Sequence, residues 1–219
     1  MRERGDLTVF HEPFMHFYYL TRTSRLSAEF EAIPGHPTTY QDTRDLILKT
    51  ARKGPVFVKD MAYYMADLVL ADDEFLAPMT HVVLVRDPSK TAASYARIDP
   101  NFDAVELGFN AQWALVQGLQ AREIPVHVMA SARLRANPGR EMERYWDFAG
   151  LSQMPGALSW QKGTPADWEY VAGWHESVTG STGIEPPGKT EAPILKPRLQ
   201  DVVASHRSAY DALMALTQA

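Results

Sequence analysis

A carboxylate, an amine, a guanidinium and a hydroxyl stand at or just beyond the ends of short apolar runs. Glu12 closes Leu7–Glu12 (LTVFHE), Lys59 closes Pro55–Lys59 (PVFVK), Arg86 closes His81–Arg86 (HVVLVR), and Ser94 follows Arg86 by eight residues. An arginine at a strand end can fork two donors onto a phosphate, adding charge to directional hydrogen bonds. A hydroxyl two turns into the next helix can donate from the side. The plainer alternative is an arginine paired with an acidic neighbour and a small serine that only packs.

Two other patterns carry less than their letters suggest. Gly183-Ile-Glu-Pro-Pro-Gly188-Lys189-Thr190 satisfies the G-x-x-x-x-G-K-T expression. That motif works only after a buried strand and before a helix N-terminus, whose N–H groups hold the phosphates. Here two prolines lie inside the loop and Pro193 follows closely, so a Pro-rich surface loop is expected. His11-Glu12-Pro13-Phe14-Met15-His16 is H-E-x-x-x-H, one residue longer than the zinc-protease spacing, and Pro13 disfavours a helix through it. His36, His81, His127, His175 and His206 show no ligand spacing and read as surface or satisfied core histidines.

The elements that must position these groups alternate. The apolar runs at Leu7–Glu12, Pro55–Lys59, His81–Arg86 and Pro125–Met129 are nearly continuous, as in parallel strands covered on both faces. Helices are expected over Tyr40–Lys53, Asp60–Leu70, Asp87–Ile98, Asp103–Glu123, from Asn137-Pro138 to about Gly150, and over Pro197–Thr217. Asp87-Pro88 and Asn137-Pro138 each combine an N-cap residue with proline at the first helical position. Residues 180–197 are rich in Gly and Pro and read as a loop with the composition of a lid. The expectation is one α/β domain over residues 1–219, in three layers, with a parallel sheet of at least four strands and right-handed crossovers. Ligands of such sheets gather at the carboxyl ends of the strands, which brings Glu12, Lys59 and Arg86 to one crevice. Phe14, Phe17, Tyr18, Tyr19, Tyr63 and Tyr64 are core candidates, with an acceptor-pocket wall as the second possibility.

Composition narrows the class. With 219 residues, 45% hydrophobic and 22% charged, the chain has the balance of a globular protein and can bury a full core. A net charge of −5 lacks the basic surplus of a general nucleic-acid binder, so an anionic ligand needs a local cationic cluster. The absence of cysteine excludes disulfides, thiolate metal sites and a cysteine nucleophile, and fits a reducing cytoplasm. No run approaches the length of a membrane span, and Met1–Asp6 lacks the apolar region of a signal peptide. Neither nucleic acid nor membrane is expected as a partner.

The arrangement Arg86-Asp87-Pro88, five residues, Ser94-Tyr95 resembles the 3′-phosphate-binding segment of the PAPS-dependent sulfotransferases. PAPS is 3′-phosphoadenosine-5′-phosphosulfate, and PAP is the product left after sulfuryl transfer. Gln161-Lys162-Gly163-Thr164-Pro165-Ala166-Asp167-Trp168 is similar to the family's R-K-G-x-x-G-D-W segment, with Gln161 and Ala166 departing from it. The resemblance, of a bacterial type, spans roughly Leu7 to Gly183. It implies a P-loop-hydrolase-like fold, PAPS as co-substrate without a metal, and a small-molecule hydroxyl as acceptor. It assigns Arg86 and Ser94, assisted by Lys162 and Gly163, to the 3′-phosphate.

The resemblance also implies what to look for elsewhere. Family members begin with a strand, a loop that cradles the 5′-phosphosulfate, and a helix; Met1–Asp6 resembles only the last turn of that helix. Translation from further upstream, a shortened chain or a degenerate member would each account for this. Loss of a central strand would invite one from a second copy, a route to a homodimer. Many members place a histidine base just after a lysine at the end of the strand matching Pro55–Lys59; here Asp60 follows Lys59. Other members use a glutamate at the position of Glu12, which makes Glu12 the preferred base, with Asp60 and His11 as runners-up and Lys59 the electrostatic helper. The alternative is a non-catalytic PAP- or nucleotide-binding protein.

Overall fold

The computed structural model of the chain describes residues 1–27, 30–165, 168, 172–188 and 192–217. Four strands carry the fold: β1 (Thr8–His11), β2 (Val56–Lys59), β3 (His81–Val85) and β4 (Val126–Ala130). Each lies within one residue of an apolar run of the sequence. β1 pairs with β2 in parallel, from Thr8 opposite Val56 to His11 opposite Lys59. β3 pairs with β4 in parallel, from His81 opposite Val126 to Val85 opposite Ala130. The expected continuous sheet is therefore two parallel pairs, with no ladder joining them among the described residues. On β3, the Leu84 carbonyl accepts from the Gln112 side-chain N–H at 3.2 Å. The Leu84 side chain is 51% exposed, unusual for a residue at the heart of a parallel strand.

Helices supply the crossovers. A single turn, α1 (Met15–Phe17), runs into a π-helical stretch at Tyr18–Arg22. α2 (Tyr40–Ala51) returns the chain to β2, and α3 (Ala62–Leu70) and α4 (Asp73–Leu76) lead to β3. α5 (Pro88–Ile98) begins at the expected signal: Asp87 accepts from the Lys90 N–H at 2.9 Å, with Pro88 in the first turn. α6 (Phe109–Gln120) precedes β4, which is followed by α7 (Ser131–Ala136), α8 (Pro138–Phe148), α9 (Ala172–Thr179), α10 (Pro197–Ser205) and α11 (Arg207–Leu216).

Two expected helices are broken, each by a tertiary demand. The run over Asp103–Glu123 divides at Gly108, whose φ of +84° ends a 3-10 turn at Ala104–Leu107. That break keeps Glu106 buried and turned inward. The run over Pro197–Thr217 divides at His206, a buried ring whose nitrogens meet the Ala104 carbonyl at 2.8 Å and the Asn110 N–H at 3.3 Å. α3 starts at Ala62 rather than Asp60, because the Asp60 carboxylate accepts from the backbone of Phe14 and Met61. Met1–Asp6, expected as the end of a helix, holds a 3-10 turn at Arg2–Arg4 closed by Gly5.

Three apolar clusters fix these elements. Val83, Val85 and Val128 pack with α5, α6, α10 and α11 through Ala92, Val116, Val202 and Leu213. Met129 and Val82, on the other face of the same pair, meet Trp146 of α8, and Phe57 of β2 joins them. Phe14, Tyr18, Tyr64, Ile47 and Leu119 form the cluster around β1 and β2. Gly118 of α6 lies against Leu70 of α3, so close that a Cβ there would fall 2.5 Å from a Leu70 methyl. This contact seats the two halves together without strand pairing. Among the described residues no helix is long and apolar enough to cross a membrane.

Candidate active site

The ends of β1, β2 and β3 open on one cavity of about 230 Å³, lined by Glu12, Lys59, Arg86 and Ser94 together. The parallel register accounts for the first two: His11 lies opposite Lys59, so both strands release the chain at the same level. Glu12 donates its N–H to the Lys59 carbonyl and then turns at φ +49°. A side-chain-bearing residue in this region costs roughly 1–3 kcal/mol and is held only where its surroundings require it.

Lys59 Nζ donates to Glu12 Oε1, and Tyr64 Oη donates to Oε2 at 3.3 Å. Burial would raise the Glu12 pKa, but the charges of Lys59, His11 and His175, with the Lys59 hydrogen bond, outweigh it and hold the carboxyl below its usual range. The neighbouring carboxyl goes the other way. Burial, then the Glu12 charge, push Asp60 up to about 8, against the N–H groups of Phe14 at 3.0 Å and Met61 at 2.8 Å.

Arg86 stands in a different environment. Among the described residues its guanidinium makes no hydrogen bond or ion pair, while it lines the cavity with Ser94 and Thr91. Burial first, then the charge of Arg135, pull its pKa below the usual arginine value, with Asp87 opposing; an arginine nevertheless stays charged. The α5 N-cap at Asp87 sets Arg86 at the head of that helix, and Ser94 follows two turns later on it. Tyr95, beside Ser94, is buried with its Oη 3.3 Å from that of Tyr63.

A loop between Thr23 and Thr39 contributes Ser27 and Phe30 to the cavity. Arg25 fixes it: Nη1 donates to Asp99 at 2.8 Å and Nη2 to Glu106 at 2.6 Å. Both carboxylates are buried, and Glu106 also accepts from Tyr19 Oη at 3.1 Å. On the far side of the loop, His16 accepts the Ile33 N–H at 2.9 Å and stacks on His36 with ring centroids 4.0 Å apart. His16 and His11, five residues apart in sequence, thus serve unrelated places.

Lys162 and Gly163 lie elsewhere. Both are exposed, and the Gly163 N–H donates to the Thr179 carbonyl at the end of α9 at 3.0 Å; neither lines the cavity. Asp167 and Ala166 of the same segment, and Lys189 and Thr190 of the Gly/Pro-rich loop, fall outside the described residues. Trp168 does reach the site, its ring 5.0 Å from that of His11 and 4.3 Å from that of His175. His175, expected as an unremarkable histidine, lines the cavity with Trp174 from α9. No spacing signal announced it, because it meets His11 across 164 residues. The tyrosines divide: Tyr18 is core, whereas Tyr19, Tyr63 and Tyr64 serve both core and cavity wall.

A search of curated proteins finds no match. A family model described as a sulfotransferase domain matches residues 1–217, nearly the whole chain. On that match the chain belongs to the sulfotransferase domain family.

Proposed function

We propose that the chain transfers a sulfuryl group from PAPS to a hydroxyl of a small molecule. The observation that carries this reading is the Arg86 guanidinium, without an ion-pair partner among the described residues, in one cavity with Ser94 and the Glu12–Lys59 pair. Arg86 and Ser94 hold the 3′-phosphate, the arginine by charge and fork geometry and the serine by a lateral hydrogen bond. Lys162 and Gly163, which do not line the cavity, take no part in this reading, although Trp168 of their segment is seated against His11 and His175. Glu12 takes the proton of the acceptor hydroxyl as its oxygen attacks sulfur, and Lys59 steadies the charge that develops on the transferring group. Tyr19, Tyr63, Tyr64 and Phe30 give the acceptor an aromatic wall.

Calorimetric titration with PAP tests the reading. Wild type should bind, and Arg86→Ala should weaken binding by roughly 10- to 100-fold, the scale of one charge-assisted contact. Equal affinity in the two proteins would reject the site. The Glu12 carboxylate, bound by Lys59 and held below its usual range, favours a second reading, a PAP-binding protein without turnover. Detectable sulfuryl transfer by this chain to any member of a hydroxyl panel would exclude it.

A further inference from the structure

We propose, on the reading of Glu12 as the base, that Asp60 is the positioning residue that holds Glu12 and Lys59 in their places. Asp60 does not line the cavity, and the transfer scheme gives it no task. Its partners are the backbone N–H groups around the pair. The Met15 N–H donates to the Glu12 carbonyl at 3.0 Å and closes a four-residue turn on Glu12. Pro13 stands second in that turn and has no N–H to place. Phe14 stands third, at φ −87° and ψ 1°, the values of that position in a type I turn. The N–H of the third residue has no acceptor inside such a turn. Here it belongs to a fully buried residue, so it must find an acceptor elsewhere. Asp60 Oδ2 is that acceptor, at 3.0 Å.

The second Asp60 oxygen works on the other strand. Oδ1 accepts from the Met61 N–H at 2.8 Å and fixes the chain as it leaves β2. Met61 in turn presents its sulfur to Lys59 Nζ at 3.7 Å. One carboxyl thus clamps the turn that carries the base to the residue that seats its cationic partner. Glu12 depends on such outside ties, because its φ of +49° lies outside the regions a glutamate prefers. Its own N–H supplies another tie, to the Lys59 carbonyl at 2.6 Å. A carboxyl keeps acceptor capacity on both oxygens with or without a proton, whereas an amide has one acceptor oxygen. Asp60→Asn therefore opens the clamp with almost no change of volume.

Two measurements decide it. The first needs no turnover: the Glu12 carboxyl ¹³C resonance of the unliganded full chain, assigned through its loss in Glu12→Gln, is followed with pH. Lys59, His11 and His175 act on Glu12 by charge, Tyr64 by its hydroxyl, and Asp60 faces it as a second carboxyl. Loosened from Lys59, Glu12 should titrate higher in Asp60→Asn than in wild type. A midpoint that stays or falls would overturn the proposal, a fall being the mark of lost Asp60 charge alone. Amide exchange of Val116 in α6, at its wild-type rate, shows that the variant is folded. In wild type itself, whatever the variant does, the Phe14 and Met61 amide resonances should shift with one common midpoint; the absence of such a midpoint would also overturn the proposal. The second measurement is transfer from PAPS to the hydroxyl panel. In Asp60→Asn, kcat should fall about 10- to 100-fold, the scale of an ångström of misplacement, with the limb set by Glu12 displaced to higher pH and PAP affinity at the wild-type value. A wild-type kcat, or one lowered equally at every pH as a merely structural carboxyl would give, counts against it. No transfer by wild type would instead reject turnover, and the resonance titration would still decide whether Asp60 places Glu12.

Discussion

The two halves of the cavity treat charge in opposite ways. At the ends of β1 and β2 every charge is answered: Lys59 binds Glu12, Tyr64 donates to Glu12, and Asp60 takes two backbone N–H groups. At the end of β3 the Arg86 guanidinium forms no ion pair among the described residues, and the charge of Arg135 outweighs that of Asp87 beside it. An answered set of charges suits proton transfer, where a small change in one partner moves the proton. An unanswered charge suits capture, because desolvation of the arginine is partly complete before an anion arrives and no internal bond must break.

Three substitutions sharpen or break that contrast. The largest effect belongs to Glu12→Gln, which keeps shape but removes the base. Transfer should slow by roughly 10² to 10⁴-fold with PAP affinity little changed; a comparable loss of PAP binding would show that the two halves are one electrostatic unit. Next is Asp60→Asn, read by thermal or denaturant unfolding against pH. Asp60 is raised in the folded protein to about 8, so its protonation favours the fold fully below the unfolded carboxylate value near 4 and that contribution is lost as pH rises toward 8. Asp60→Asn should flatten the stability profile between about 4 and 8. Glu12, with its pKa lowered, contributes in the opposite sense and loses its contribution as pH falls. An unchanged slope in Asp60→Asn would mean the carboxyl is ionised throughout that range. The smallest is Ser94→Ala, where loss of one hydroxyl donor to an anionic phosphate, about 1.5 kcal/mol, should weaken PAP roughly tenfold with kcat kept. A drop in kcat instead would move Ser94 to the reacting end of the cavity.

Much of this was legible in the chain because it depends on local rules. Continuous apolar runs marked each strand to within a residue, and strand ends in a parallel fold mark the ligand crevice. Glu12, Lys59, Arg86 and Ser94 were legible together on that ground, and Asp87-Pro88 placed the start of α5. What was not legible is set by distant partners. Gly108 and His206 break amphipathic runs whose periodicity continues through them, because Glu106 must reach Arg25 and His206 must reach Ala104. The split of the sheet depends on which strands neighbour in space, and apolar runs do not encode that order. His175 becomes a cavity residue only through the seating of α9, and Lys162 and Gly163, matched by motif, are exposed and do not line the cavity.

The contact between Gly118 and Leu70 has a mechanical side. Since no strand ladder crosses from β2 to β3 among the described residues, the halves are joined by helix packing, by Phe57 against Val82 and Met129, and by side-chain ties such as Tyr63 to Tyr95 and Arg25 to Asp99. The cavity straddles that seam, with Lys59 on one bank and Arg86 on the other. Under the proposed reading, a nucleotide held by both banks would act as a rivet, and its binding to the folded chain alone would raise resistance to unfolding.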